Sequence, residues 1–160
     1  MFSFTKSVAS LLALGVVAVQ AERHVIHFDN RCGFGTPTLV RAGQILSTGW
    51  DVVVDGPLDA TIAYLQTGGC RLNGEGCTTV ELTLKNPNCP GCGSSADISM
   101  IPPLAWAGVP TGFGYYSGCD GAGADCTSAD CPTAFHQPWD NQVQVQCQVN
   151  DVNLAITFCL

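Results

Sequence analysis

Positively charged residues are scarce in this sequence. Its 160 residues include six Lys and Arg against 13 Asp and Glu, which gives a formal net charge of −7. A nucleic-acid-binding face needs cations to neutralise phosphates, and binding to an anionic lipid surface needs them as well. The composition therefore argues against nucleic acid and acidic membranes as partners.

Long apolar segments are also lacking, apart from one near the N-terminus. After Lys6 an apolar run extends from Val8 to Val19, and Val19-Gln20-Ala21 is an acceptable cleavage site. The run is shorter than the roughly 18 residues that a membrane-spanning helix requires. Residues 1–21 are therefore predicted to be a signal peptide and residues 22–160 a single mature domain. We expect a secreted, extracellular monomer without membrane insertion.

Helical periodicity is almost absent, whereas apolar and polar residues alternate in many short segments. Gly- and Pro-rich stretches such as Gly33 to Pro37 and Asn86 to Asn88 separate these segments. The predicted strands are Val25–Phe28, Trp50–Val54, Leu58–Leu65, Thr79–Leu84, Ala96–Met100, Gln142–Cys147 and Val152–Phe158. Short strands with this punctuation are typical of an all-β sandwich or barrel.

The ten cysteines are an even number in a chain with an export signal, which predicts five disulfides. A zinc site is the alternative for Cys89 and Cys92, but no second Cys-x-x-Cys pair is present to complete four ligands. A thioredoxin-like site needs a helix at the pair, and Cys89-Pro90-Gly91-Cys92 is typical of a turn. No metal and no cofactor are predicted. The spacing alone leaves the pairing of the ten cysteines open.

An ordered series of short motifs extends from the first predicted strand to the C-terminus. They are Phe28-Asp29-Asn30-Arg31-Cys32, Leu46-Ser47-Thr48-Gly49-Trp50, Thr67-Gly68-Gly69-Cys70, Val80 to Asn86, Asp97-Ile98-Ser99, Gly118-Cys119, Cys131-Pro132-Thr133-Ala134-Phe135 and Ile156-Thr157-Phe158-Cys159. In this order they resemble the thaumatin-like proteins over the whole mature chain. The size and the ten cysteines resemble the small form of that family, which lacks a second disulfide-rich domain. The resemblance implies a disulfide-rich thaumatin-like β-sandwich.

The same resemblance implies four of the disulfides. They are Cys32–Cys159, Cys70–Cys77, Cys119–Cys147 and Cys126–Cys131. Cys89 and Cys92 do not match the family pattern and lie in an insertion, so by elimination they are expected to pair with each other.

Thaumatin-like proteins often have an acidic cleft, which is associated with β-1,3-glucan binding and in some members with weak hydrolysis. Glu81 matches the cleft Glu through its Val-Glu-Leu-Thr-Leu-Lys-Asn context, and Asp97 matches the first Asp through Asp-Ile-Ser. The resemblance assigns Asp140 to the last Asp of the cleft. A further Asp of the family pattern falls on Pro102, and the family's Arg position falls near Leu65, so both are lost here. The alternation independently places Glu81 and Asp97 on the polar faces of their strands.

Aromatic residues offer a second means of binding sugars, because rings supply a large apolar area on which C–H faces of a sugar can stack. Trp106 and Trp139 stand beside Pro- and Gly-containing segments and are predicted to be exposed and to bind carbohydrate. Phe113 and Tyr115 are predicted to pack in the core, although they stand in a segment that looks like a loop.

Three functions remain open at this point. The first is a secreted protein that binds cell-wall β-1,3-glucan through Glu81, Asp97 and Asp140, with a role in defence against fungi or in wall remodelling. The second is a weak endo-β-1,3-glucanase in which Glu81 and Asp97 are the catalytic acid and base, since glycoside hydrolysis needs two carboxyl groups. The third is a disulfide-stabilised effector or inhibitor without carbohydrate chemistry.

Overall fold

The computed structural model describes residues 21–160, so the predicted signal peptide lies almost entirely outside the described residues. The strands are β1 (Arg23–Asn30), β2 (Thr36–Arg41), β3 (Gln44–Ser47), β4 (Val52–Asp55), β5 (Leu58–Gln66), β6 (Thr79–Leu84), β7 (Ser94–Ser99), β8 (Thr111–Tyr116), β9 (Gly123–Cys126), β10 (Ala134–Phe135), β11 (Val145–Cys147) and β12 (Asn153–Phe158). A single 3₁₀ turn spans Asn141–Val143. No helix among these residues has the length and apolar character needed to cross a bilayer.

Two sheets form a sandwich, as the alternating pattern predicted. The five-stranded sheet has the order β4-β1-β12-β8-β9, and the seven-stranded sheet has the order β10-β7-β6-β5-β2-β3 with β11 added beside β7. Neighbouring strands are antiparallel except for β1 with β12 and β10 with β7. The first and last strands of the domain thus lie side by side in the middle of one sheet.

The core lies between the two sheets and comes from the apolar positions of the alternating strands. On β12, Leu154, Ile156 and Phe158 are fully buried, while the residues between them are partly exposed. Phe28 of β1 stacks on Phe158 at a centroid distance of 6.5 Å. A period of two on each strand therefore fixes which face enters the core.

Five disulfides stabilise the sandwich, and no cysteine of the described chain is free. They join Cys32 to Cys159, Cys70 to Cys77, Cys89 to Cys92, Cys119 to Cys147 and Cys126 to Cys131, which are the pairs given by the resemblance and by elimination. The pair Cys32–Cys159 connects residues 127 apart in sequence, from the end of β1 to the end of β12. Such bridges are typical of proteins in an oxidising, extracellular compartment.

Several predicted boundaries differ from the structure. The strand expected at Gln142–Cys147 is only β11, because the residues before it form the 3₁₀ turn. Trp50 and Asp51 precede β4 and lie in a loop. Phe113 and Tyr115 are buried as predicted, yet they lie on β8 and not in a loop. Gly112 and Gly114 disguise this strand, since glycine has low strand propensity.

Candidate functional site

The candidate site lies on the outer face of the seven-stranded sheet, where β6 and β7 pair in antiparallel register. Glu81 lies directly opposite Asp97. Side chains at directly opposed positions point to the same face, with Cβ atoms typically about 4.5–5.5 Å apart. The pairing of these two strands therefore brings together the two carboxyl groups that the sequence analysis selected.

The same cross-strand row continues on both sides of the acidic pair. Ile62 of β5 is opposite Glu81, and Val40 of β2 is opposite Ile62. On the other side, Val145 of β11 pairs with Ala96, which places Gln144 beside Asp97. Across the sheet, the row therefore passes from the apolar side chains of Val40 and Ile62, through the carboxyl groups of Glu81 and Asp97, to the amide of Gln144.

A shallow open groove of about 330 Å³ surrounds the pair. Its lining consists of Ala60, Thr61, Ile62, Glu81, Leu82, Thr83, Ser95, Asp97 and Gln144. Hydroxyl, amide and carboxyl groups dominate this lining, and none of its members is positively charged. The groove can therefore offer several hydrogen-bond donors and acceptors to a ligand, but it cannot supply a cation to an anionic one.

The two carboxyl groups differ in exposure and in proton affinity. Asp97 is only 7% exposed, whereas Glu81 is partly exposed. Burial raises the pKa of Asp97 to about 7, the negative charge of Glu81 adds to that rise, and a side-chain hydrogen bond with Gln144 offsets part of it. Burial alone raises the pKa of Glu81. Near neutral pH the pair therefore tends to keep a proton that two exposed carboxylates would release.

Asp140 lies outside the groove lining. Its carboxylate accepts hydrogen bonds from the backbone amides of His136, at 3.0 Å, and Gln137, at 2.9 Å. These contacts close the loop after β10, because the carboxylate binds backbone amides three and four residues earlier in the chain. The structure thus gives Asp140 a loop-forming role, and its assignment to carbohydrate binding stays a prediction.

The tryptophans are also separate from the groove. Trp139 is 71% exposed, as expected, but it does not line the groove. Trp106 is only partly exposed and packs against the main core, so the expectation of an exposed ring is wrong for this residue. No aromatic side chain lines the groove. Sugar stacking on Trp106 and Trp139 therefore remains a prediction that is independent of the acidic pair.

Sequence reasoning missed the neutral members of the site. Thr83 and Ser95 each lie two residues from an acidic residue on the same strand, so the alternation alone assigns them to the same face. Ile62 and Gln144 had no such signal, because their positions depend on the pairing register of β5 and β11. Arg71, the cation nearest in sequence to the lost Arg position, lies in a loop beside Glu75 and Pro103 and not in the groove.

Metal binding has no support among residues 21–160, where no group of three or more His, Cys, Asp or Glu side chains is placed to hold an ion. His24 and His27 point to opposite faces of β1, as their spacing predicts. His24 is fully buried, whereas His27 pairs with Asp51 in solvent at 2.8 Å.

No protein-family model and no curated protein matches this sequence. Among solved structures, the chain is similar to the protein elicitor MoHrip2 from Magnaporthe oryzae, with a TM-score of 0.51 and 13% sequence identity. The match covers 88% of this chain and 100% of MoHrip2. The two chains share a fold. At this identity the similarity to MoHrip2 extends to the disulfide-rich β-sandwich and does not assign an activity.

Proposed function

We propose that this chain is a secreted small thaumatin-like protein whose outer groove binds neutral cell-wall polysaccharide, with β-1,3-glucan as the ligand class. The observation that supports this proposal is the register that places Glu81 opposite Asp97 inside a groove of uncharged hydrogen-bonding side chains. A polysaccharide of this kind presents hydroxyl groups that both donate and accept hydrogen bonds.

The chemistry of the lining favours a neutral ligand. An anionic polymer would meet two carboxyl groups with no compensating cation in the groove, which is electrostatically unfavourable. A neutral hydroxyl can instead donate to Glu81, and it can accept from the amide of Gln144 or from a protonated Asp97. Hydrogen bonds to charged groups are worth about 1.5–3 kcal/mol each, so a few of them suffice for weak, specific binding.

Co-sedimentation with insoluble β-1,3-glucan tests the proposal. The double variant Glu81→Gln/Asp97→Asn keeps the size of both side chains and removes the ability of both groups to ionise. We expect it to lose at least about tenfold in affinity at pH 6. Asp55→Asn, at the exposed end of β4 on the other sheet, is the matched control and should bind like the wild type. Equal recovery of all three proteins, or recovery of none, would contradict the proposal.

Hydrolysis is the second candidate, and the raised pKa of Asp97 is the observation that favours it. A protonated Asp97 beside an ionised Glu81 has the composition of an acid and base pair for glycoside cleavage. Release of reducing ends from laminarin by the wild type, and its loss in Glu81→Gln, would establish this activity. Binding without any release would restrict the groove to recognition.

An elicitor-like role is the alternative without sugar chemistry, and it rests on the fold shared with MoHrip2. A protein of this kind would elicit a response in host tissue through its surface, whatever the state of the groove. An oxidative burst that is equal for the wild type and the double groove variant, together with no glucan binding, would favour this role over the first proposal.

A further inference from the structure

No charged side chain other than the acidic pair lines the groove. The elements that surround it contribute Thr61 and Ile62 from β5, Thr83 from β6, Ser95 from β7 and Gln144 before β11. None of these side chains is ionisable. On the inner side, burial and then the charge of Asp97 raise the pKa of Tyr115 of β8, whose hydroxyl donates to the carbonyl oxygen of Val145 at 3.1 Å.

Two carboxylates that face each other without a cation repel one another, and this repulsion is strongest where one of them is buried. A single proton held between them removes the repulsion and leaves one negative charge. It also changes what the pair can do, because a protonated carboxyl donates a hydrogen bond and an ionised one only accepts. The one-proton pair therefore presents a donor and an acceptor side by side.

We propose that Glu81 and Asp97 share one proton, and that this one-proton pair is the form of the groove that binds its glycan. A donor and an acceptor at neighbouring positions match two adjacent hydroxyls of a neutral sugar, one accepting and one donating. Loss of the shared proton leaves two acceptors and a doubled charge, which no longer match. The inference rests on the proposed glucan binding and adds pH control to it.

The burial of Asp97 and its raised pKa support this assignment of the proton. When only a fraction of the protein is in the binding-competent form, the apparent affinity falls in proportion to that fraction. With the upper titration of the pair near pH 7, we expect binding to be at least about tenfold weaker at pH 8.5 than at pH 6.

Asp97→Asn is the decisive variant, because its amide imitates the neutral, donating Asp97 and cannot titrate. Titration calorimetry with laminarihexaose at pH 6 and pH 8.5 should show a loss of affinity for the wild type and nearly constant affinity for Asp97→Asn. The exposed control Asp55→Asn should follow the wild type. Carbonyl-carbon NMR of the ligand-free protein should show a Glu81–Asp97 titration in two coupled steps, the upper one near neutral pH.

The outcomes separate the two proposals. Wild-type binding of equal strength at both pH values, or an Asp97→Asn variant as pH-dependent as the wild type, would overturn the shared-proton inference and leave glucan binding intact. An absence of binding at both pH values would overturn the proposed function and pH-controlled binding with it. Simple, independent titration of both carboxyl groups below pH 5 would refute the shared proton directly.

Discussion

At the scale of single residues, Asp97 is an acidic group that the fold largely removes from water. Its pKa rises from 3.8 to about 7, so the folded protein holds a proton that the unfolded chain releases near pH 4. The stabilisation from this proton is complete below the unfolded pKa and is lost as the pH rises through the folded one. Stability should therefore fall between pH 4 and pH 7.

Asp97→Asn should remove this part of the pH dependence. The rise in pKa corresponds to at most about 4 kcal/mol, so the variant should be more stable than the wild type at pH 8 by up to that amount. Urea unfolding at pH 4 and pH 8 measures the difference. If the free energies of unfolding of the wild type and of Asp97→Asn changed equally with pH, Asp97 would not be the responsible group.

The contribution of Asp151 to stability should have the opposite dependence on pH. Hydrogen bonds from the side chain of Asn86 and the backbone amide of Arg23, each at 3.1 Å, lower the pKa of its carboxyl group. The stabilisation is therefore present above the unfolded pKa and is lost as the pH falls through the folded value. Asp151→Asn tolerates the positive φ of 56° at this position and should be destabilised at pH 7 but hardly at pH 2. Thermal melts at both pH values test this, and an equal loss at both would contradict it.

At the scale of elements, the edge pairing of β8 and β9 depends on a glycine. Gly123 lies opposite Gly114, and a Cβ atom at Gly123 would collide with the carbonyl oxygen of Phe113. At Gly114 the nearest atom to such a Cβ is 4.0 Å away. Gly123→Ala should therefore cost about 1–3 kcal/mol, whereas Gly114→Ala should be almost neutral.

Chemical denaturation of the Gly123→Ala and Gly114→Ala variants measures how much each substitution lowers the free energy of unfolding. An equal cost for the two substitutions would mean that loss of glycine, and not the collision at β9, determines the result.

The elements also show which parts of the fold the sequence could predict. The strands β6 and β12 follow from clear alternation, and the alternation of β6 and β7 puts Glu81 and Asp97 on their polar faces. Strands β2, β3, β8, β9 and β10 escaped prediction; Pro37 in β2 and Gly112 and Gly114 in β8 weaken the strand signal there. Alternation also cannot show which strands pair, so the roles of Ile62 and Gln144 required the structure.

At the scale of the whole molecule, the disulfides are unequal in their effect. The bridge Cys32–Cys159 joins residues 127 apart, while Cys89–Cys92 spans a separation of only three. A cross-link limits the unfolded chain more when it closes a longer loop. Replacing both Cys32 and Cys159 with Ala should cost about 2–5 kcal/mol, and replacing Cys89 and Cys92 with Ala should cost much less.

Urea midpoints of the two double variants, with the remaining bridges verified by peptide mapping, measure this contrast. A larger loss for the Cys89/Cys92 variant would show that the short bridge shapes the native loop more than the long bridge limits the unfolded chain.

The pairing of β1 with β12 is a property of the whole chain that no local pattern contained. The two strands are parallel neighbours in the sheet, although they lie at opposite ends of the domain's sequence. The resemblance carried by the order of motifs implied the disulfide between the ends of these strands. Hydrophobic alternation predicted the two strands separately and did not pair them. The pairing of strands that are distant in sequence depends on register and topology, which cannot be predicted from short sequence segments.

The central claim is that the groove around Glu81 and Asp97 binds a neutral glucan. Amide chemical-shift mapping of ¹⁵N-labelled protein with laminarihexaose at pH 6 tests it most directly. We predict perturbations concentrated on the outer face of β5, β6 and β7, including Ile62, Thr83 and Ser95, and on Gln144. An unperturbed spectrum, or perturbations confined to distant loops such as those around Trp50 and Trp139, would contradict the claim.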